Sequence, residues 1–210
     1  KSTSTVTATW EKSSSETELV TSIEDNGVIY TSEYSRGIHR YDTVNKTWLP
    51  IWNDSLALLD DDRIRVFIPD PVNAGFAWVA GEFGVHQIDL RSGLKVIDWN
   101  RGSNGQQSID DTVTHFAIAN GIAYIAYTQS QSSFGVVDRV AISNQTALSA
   151  LSPTTQFGQW WQHSVRHIGI VDSDLWVGVS TWQGTDGGIV KYDTSTGALV
   201  DVIEAIGSVD

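Results

Sequence analysis

Cysteine is absent from this 210-residue chain, which excludes disulfide bonds, thiolate metal ligands and cysteine nucleophiles together. Methionine is absent too, even at position 1, as we would expect of a processed or excised segment. Basic residues are few: 13 Lys and Arg stand against 25 Asp and Glu, for a formal net charge of −12. Because such a surface repels phosphate backbones and anionic membranes, we expect no nucleic-acid partner. The charge favours solubility over a specific attraction for cations or basic ligands.

Long apolar runs and the common catalytic motifs are also missing. No apolar stretch approaches the length of about 18 residues that a spanning helix needs, so the sequence predicts no membrane span. It contains no secretory signal pattern, no Gly-x-Ser-x-Gly, no His-Glu-x-x-His, no phosphate-binding glycine loop and no dinucleotide fingerprint. These absences favour a non-enzymatic function.

The sequence is rich instead in aromatic and β-branched residues, arranged in a repeat. It has 9 Trp, 6 Tyr and 6 Phe, and its apolar segments alternate at the period of two that is typical of strands. A glycine opens the third strand of each repeat, and successive glycines are 47, 51 and 53 residues apart: Gly37, Gly84, Gly135 and Gly188. This spacing fits the blades of a β-propeller. The predicted fold class is therefore all-β, with four blades of four antiparallel strands each.

The repeat predicts a single β-propeller domain over residues 1–210, with blades at residues 18–52, 63–99, 112–151 and 164–205. Residues 1–17 are predicted to supply the outer strand of a preceding blade and a loop, because residues 6–10 end in Trp10 just as two fourth strands end in Trp52 and Trp99. The chain is thus expected to be part of a larger propeller of up to about eight blades. The alternatives are a four-bladed ring, or a homodimer that completes a larger ring.

Turn residues support this strand order. Asn26-Gly27 and Asn120-Gly121 lie between first and second strands, and a type I′ hairpin favours Asn-Gly because both residues take positive φ. An aspartate can accept hydrogen bonds from the backbone two residues further on. Three aspartates are placed to do so directly after third strands: Asp42, Asp89 and Asp193.

Two of the repeats carry a motif that resembles a known family. The fourth has Leu-Trp-Val-Gly at residues 175–178, Gly-Gly-Ile at 187–189 and Tyr-Asp at 192–193, and the second has similar residues at 76–81 and 83–89. This motif resembles the propeller repeat in the periplasmic sensor regions of hybrid two-component regulators. It also looks like the wider group of quinoprotein-like (YVTN/WD40-like) and surface-layer propellers. The resemblance implies a recognition surface in an extracellular, cell-surface or periplasmic protein, and it implies no catalytic residue.

Candidate ligand-binding residues are aromatic, basic or imidazole side chains in first strands and in the links between blades. Adjacent tryptophans before blade 4 suit contact with a glycan or a protein, since at least one can be exposed; packing of one of them between two sheets is an equal alternative. Arginines on or beside first strands could meet a carboxylate ligand, although pairing with rim aspartates is the simpler expectation. Histidines at equivalent first-strand positions could pack or could supply metal nitrogens, and packing is favoured. These candidates are Trp160, Trp161, His163, Arg63, Arg65, Arg166, His115 and His167.

Acidic clusters precede two first strands: Asp60, Asp61, Asp62, Asp110 and Asp111. Carboxylates gathered on one rim could bind Ca²⁺ or a cationic ligand. A solvated, turn-forming loop is the alternative, which we favour because the spacing does not match an EF-hand loop. We expect no other cofactor.

The sequence favours a non-enzymatic recognition, sensor or adhesion module of a larger extracytoplasmic protein. Its ligand would be a protein, a glycan or a small molecule bound at the propeller rim. The alternative is a propeller enzyme, of glycan-cleaving or quinone-cofactor type, whose site lies in the central channel. A purely structural scaffold is the third interpretation.

Overall fold

A computed structural model describes residues 19–53, 63–82, 84–100, 113–127, 135–157, 163–181 and 187–204. These residues form sixteen strands in four antiparallel sheets, and the four strands of each sheet are hydrogen-bonded in chain order. The predicted all-β class with four four-stranded blades is confirmed. Within the described ranges, one short 3-10 helix, Pro153–Phe157, is the only helical segment. The outer strand predicted at residues 1–17 lies outside the described residues.

Each blade corresponds to one sheet. Blade 1 contains β1 (Leu19–Asp25), β2 (Val28–Glu33), β3 (Gly37–Asp42) and β4 (Thr47–Trp52). Blade 2 contains β5 (Ile64–Pro69), β6 (Phe76–Gly81), β7 (Gly84–Asp89) and β8 (Lys95–Asn100). Blade 3 contains β9 (Val113–Ala119), β10 (Ile122–Tyr127), β11 (Val137–Ala141) and β12 (Thr146–Leu151). Blade 4 contains β13 (His163–Val171), β14 (Asp174–Thr181), β15 (Gly187–Asp193) and β16 (Leu199–Glu204).

Successive blades pack face to face, with their first strands side by side: β1 lies against β5, β5 against β9 and β9 against β13. Buried apolar side chains form three separate clusters, one at each blade junction. At the junction of blades 2 and 3, the Trp78 ring lies 5.4 Å from that of Trp99 in its own blade and 5.3 Å from that of Phe116 in the next. The core is therefore a series of sheet-to-sheet layers, and each layer depends on two neighbouring blades.

Hydrogen bonds from second-strand tyrosines tie blade 1 to blade 2 and blade 3 to blade 4. Tyr30 Oη donates to the backbone oxygen of Leu90 at 2.5 Å, and Tyr124 Oη donates to the backbone oxygen of Thr194 at 2.8 Å. Both acceptors lie in the turn between the third and fourth strands of the next blade. Burial raises the pKa of both tyrosines. Each hydroxyl therefore stays protonated and satisfies a buried carbonyl across the junction.

The predicted hairpin turns are confirmed by the backbone angles. Asn26 and Gly27 have φ values of 49° and 79°, and Asn120 and Gly121 have 51° and 72°. All four residues are therefore in the left-handed region that a type I′ turn requires. The second strand of blades 1 and 3 is thus fixed in register by local sequence alone.

Asp193 shows most fully how an aspartate organises the turn after a third strand. Its Oδ1 accepts hydrogen bonds from the backbone N–H groups of Ser195 and Thr196 at 3.0 and 2.7 Å, and from their hydroxyls at 2.6 and 2.8 Å. These bonds, led by those from the hydroxyls, lower the pKa of Asp193 to about 2. Backbone hydrogen bonds also lower the pKa of Asp42 and of Asp89 in the equivalent turns.

Acidification should therefore weaken the fold as Asp193 is protonated. Its pKa of about 2 in the folded chain lies below the ordinary value of 3.8, so the stabilisation is complete above about pH 4 and is lost as the pH falls towards about 2. Urea denaturation at each pH measures the free energy of unfolding of the unchanged chain and of Asp193→Asn. Between about pH 5 and about pH 2.5 we expect this free energy to fall less in Asp193→Asn than in the unchanged chain, because the variant has no carboxylate to protonate. Equal losses in the two proteins would contradict this role of Asp193.

Candidate recognition site

One end of the blades carries the site residues predicted from the sequence. Because each sheet is antiparallel in chain order, the loops between second and third strands lie at the same end as the links between blades. We call this end the upper rim. Among the described residues it includes the loop at residues 34–36, Glu82, and the residues at and just before the starts of the first strands. The hairpin turns lie at the opposite end, the lower rim.

Four side chains at the upper rim join blades 1 and 2: Tyr34, Arg63, Arg65 and Glu82, here called the Arg–Glu cluster. Glu82 is its centre, since its Oε1 accepts a hydrogen bond from Tyr34 Oη at 3.0 Å and its Oε2 pairs with Nη1 of Arg63. Arg65 Nη2 lies 3.6 Å from Glu82 Oε1, and the Arg65 guanidinium carbon lies 5.1 Å from the centre of the Tyr34 ring. Tyr34 belongs to blade 1 and the other three to blade 2, so the cluster forms only when these blades are packed together.

The Arg–Glu cluster is open to solvent. The exposed fractions of the side chains are 47% for Arg63, 36% for Arg65 and 20% for Glu82. Its four side chains include two guanidinium groups and one carboxylate. Burial, and then the hydrogen bond donated to Glu82, raises the pKa of Tyr34. The phenol is therefore a neutral donor at neutral pH.

A second charged group adjoins the cluster on blade 1. The Glu33 carboxylate has one oxygen 2.8 Å from His39 Nε2 and the other 3.5 Å from Arg36 Nε. Only 11% of the Glu33 side chain is exposed, whereas 48% of the Arg36 side chain is exposed. The carboxylate therefore anchors the group, and the Arg36 guanidinium is its solvent-facing part.

Glu33, Tyr34 and Glu82 escape prediction from the sequence, because their importance depends on which blade they face. Each of them lies shortly before the third-strand glycine of its blade, Gly37 or Gly84. Their place in the loop before the third strand is the sequence signal that could have marked them as candidate binding residues, since loops at one end of a rigid scaffold commonly carry such residues. Arg63 pairs with Glu82, while the rim aspartates expected as its partners lie outside the described residues, so that pairing stays a prediction.

A β-bulge occurs at the same point of every first strand. The pairing with the second strand shifts between Leu19 and Thr21, Ile64 and Val66, Val113 and His115, and Val165 and His167. The extra residues in these four shifts are Val20, Arg65, Thr114 and Arg166. A bulge re-aims the side chain of its extra residue and bends the strand. The same β-bulge therefore places two of the three predicted arginines, Arg65 and Arg166, at the upper rim. The period-two pattern of a strand sequence does not reveal such a bulge.

Arg166 and the two predicted histidines lie at the blade 3–blade 4 side of the site. Arg166 Nε donates to Ser180 Oγ at 2.9 Å within blade 4. His115 and His167 face each other on neighbouring first strands, with ring centroids 5.0 Å apart and planes at 78°. Burial, and then the nearby His167, lowers the pKa of His115. The histidines thus meet at a blade junction, as packing predicts, and their use as metal ligands stays a prediction.

Other predicted site residues fall outside the part of the chain that the structure describes: Trp160, Trp161, Asp60, Asp61, Asp62, Asp110 and Asp111. His163 begins β13, and its side chain is likewise outside the description. The possible roles of these residues in Ca²⁺ or glycan binding stay predictions. Among the described residues, no group of three or more His, Cys, Asp or Glu side chains is arranged to hold a metal ion.

No family profile and no curated protein matches this sequence. Solved structures do match it. The extracellular domain of a B. thetaiotaomicron protein named as a hybrid two-component system aligns with a TM-score of 0.63 at 17% identity, over 91% of this chain and 24% of that chain. A second such domain from the same organism gives 0.62 at 15% identity, over 90% and 25%. The WD40 domain of Pan2 from Neurospora crassa gives 0.59 at 10% identity, over 90% and 50%.

These matches confirm the predicted fold: the chain consists of β-propeller blades with the architecture of two-component extracellular domains and WD40 domains. At 17% identity or less the likeness is one of fold. The chain spans about a quarter of the length of the two-component extracellular chains that it matches. No helix in the described ranges is long and apolar enough to cross a membrane.

Proposed function

We propose that this chain is a non-enzymatic recognition module, part of a sensor or adhesion protein outside the cytoplasm, that binds its ligand at the upper rim. The observation that carries the proposal is the Arg–Glu cluster, which is exposed, contains two guanidinium groups and is built from two blades. Support for the setting comes from the likeness to extracellular domains of two-component systems. The absence of catalytic motifs from the sequence also favours recognition over chemistry.

The chemistry of the cluster favours a ligand with a carboxylate group, on a protein or on a small molecule. A guanidinium offers a planar fork of donors that matches a carboxylate. Arg65 is partly held by the Tyr34 ring and Glu82, so less side-chain freedom is lost when it binds. A ligand carboxylate would therefore bind beside Arg65 at the upper rim.

Replacing Arg65 tests the proposal. The probes are succinate, citrate and glucuronate, each compared with its uncharged amide or neutral sugar, and binding is measured by calorimetric titration at low salt. We expect at least one carboxylate to bind and its amide not to bind. We expect Arg65→Gln to weaken that binding roughly tenfold to a hundredfold, the range for a hydrogen bond to a charged group. The control is Arg91→Gln, an exposed arginine at the lower rim, which should bind as the unchanged chain does.

Replacing Glu82 should have the opposite sign. Glu82→Gln removes a negative charge beside Arg65 and keeps an acceptor for Tyr34, so carboxylate binding should strengthen by up to roughly fivefold. Weaker binding in Glu82→Gln, together with unchanged binding in Arg65→Gln, would show that the cluster only holds blades 1 and 2 together. Hydrolysis of a glycan probe by the unchanged chain would support the enzymatic alternative instead.

A further inference from the structure

Two histidines on neighbouring first strands occupy the same place in blades 3 and 4. His115 and His167 each directly follow the β-bulge of their strand. Their ring centroids are 5.0 Å apart. Two imidazoles that bind one tetrahedral metal ion, at metal–nitrogen distances of about 2.0–2.1 Å, have ring centroids roughly 5 Å apart. The two strands therefore hold the rings at the separation that a shared ion requires.

The fold does not require histidine at this position. Blade 1 has Thr21 and blade 2 has Val66 there, in the same register with the second strand. Both of those blades form the same four-stranded sheet as blades 3 and 4. Packing of the first strands alone therefore does not account for a facing pair of imidazoles.

The surroundings of the pair leave the rings room to turn. The planes of the two rings lie at 78°, so at least one ring must rotate before both direct a nitrogen to one ion. The residues opposite the histidines on the second strands are small, Ala126 and Gly178. His167 is also exposed to solvent, so its ring can rotate without displacing a buried neighbour, and water can reach the remaining positions of an ion.

His115 offers a nitrogen that lacks a partner. Its Nδ1 is buried and makes no hydrogen bond within the part of the chain that the structure describes. Buried polar atoms usually have a partner, and the unprotonated nitrogen of a neutral imidazole is a metal ligand. A bound ion would therefore satisfy this atom.

The charges nearby indicate which ions fit. Among the described residues, no third His, Asp or Glu is grouped with the pair. Arg166 precedes His167 in the chain, and its Nε donates to Ser180 Oγ at 2.9 Å. Ca²⁺ and Mg²⁺ take oxygen ligands, carboxylates above all, whereas imidazole suits Zn²⁺, Ni²⁺ and Cu²⁺. The pair therefore favours an ion that is bound through nitrogen.

We propose that His115 and His167 form a two-histidine site for a divalent transition-metal ion such as Zn²⁺, Ni²⁺ or Cu²⁺, with water in its remaining positions. The ion joins the first strands of blades 3 and 4 and so stabilises the packing of these blades. This proposal does not rest on the ligand proposed for the upper rim.

Calorimetric titration of the whole chain with Zn²⁺ and with Ni²⁺ tests the site. The variants are His115→Val and His167→Thr, because Val and Thr occupy this position in blades 2 and 1. We expect one bound ion per chain to be lost in each variant, and an excess of Ca²⁺ not to displace it from the unchanged chain. The matched control is His39→Gln, a strand histidine that pairs with Glu33, which should bind as the unchanged chain does.

Two further readouts separate a shared ion from binding by single histidines. Electron paramagnetic resonance of the Cu²⁺-loaded chain should show hyperfine splitting from two imidazole nitrogens, reduced to one in either variant. Zn²⁺ should raise the urea midpoint of the unchanged chain but not that of His167→Thr, since an ion that binds only the folded state stabilises it. Circular dichroism checks that each variant is folded.

Three results would overturn the proposal. The first is the absence of saturable binding of Zn²⁺ or Ni²⁺ to the unchanged chain. The second is binding that persists in either His115→Val or His167→Thr, since a shared ion needs both rings. The third is loss of the ion in His39→Gln alone, which would place the site on blade 1 instead.

Discussion

Replacing Trp99 with alanine is expected to lower the free energy of unfolding by about 3–5 kcal/mol, the usual loss for a buried tryptophan. The Trp99 side chain is 1% exposed and lies in the apolar cluster between blades 2 and 3, against Trp78. Its Nε1 also donates to Gln145 Oε1 at 3.3 Å in the next blade. The substitution therefore opens a cavity in a layer that both sheets share, and the packing of blade 2 on blade 3 should weaken most.

Urea denaturation followed by circular dichroism measures this loss. The matched control is Trp48→Ala, because Trp48 is also a fourth-strand tryptophan but is 57% exposed. We expect Trp48→Ala to change the free energy of unfolding by less than about 1 kcal/mol. Similar losses in the two variants would mean that the junction of blades 2 and 3 is not the tightly packed layer described above.

Replacing Gly37 with alanine is expected to be nearly as damaging, although it adds only one methyl group. Gly37 has φ +86°, and a Cβ atom there would lie 2.1 Å from the backbone oxygen of Trp52. The left-handed backbone alone costs an alanine roughly 1–2 kcal/mol. The clash with an immovable backbone atom should add a further 1–3 kcal/mol, approximately the cost of overpacking.

Gly75→Ala separates the two costs. Gly75 has a similar φ of +81°, but a Cβ atom there would meet nothing within 4 Å. We therefore expect Gly75→Ala to lose only the roughly 1–2 kcal/mol of backbone strain, measured by the same denaturation experiment. If both variants lose the same amount, the close approach of Gly37 to the fourth strand contributes nothing to the repeat.

The positive φ of Gly37 and its close approach to the fourth strand of its own blade explain why the repeat was visible in the sequence. The recurring glycines, the Asn-Gly turns and the turn aspartates are fixed by contacts within one blade, so local sequence is enough to predict them. The blades and their strand order were predictable for this reason.

The Arg–Glu cluster and the exposure of Ile189 and Ile203 in blade 4 depend instead on contacts between blades. Tyr34 and Glu82 are 48 residues apart and meet only across the junction of blades 1 and 2. Arg65 was a predicted candidate, but its placement depends on a β-bulge that strict strand alternation does not reveal. Ile189 and Ile203 fit the repeat as well as Val137 and Leu151 do, and only their exposed fractions of 41% and 46% distinguish them from those buried residues.

Recognition at the upper rim is tested most directly by nuclear magnetic resonance of the isotope-labelled chain during titration with succinate, citrate or glucuronate. We predict that backbone resonances of Tyr34, Arg65 and Glu82 shift in a saturable way, that no resonances of a new product appear, and that the amide analogues cause no shift. Shifts centred on His115 and His167, or conversion of the ligand, would contradict recognition by the Arg–Glu cluster and would move the functional site to the central channel.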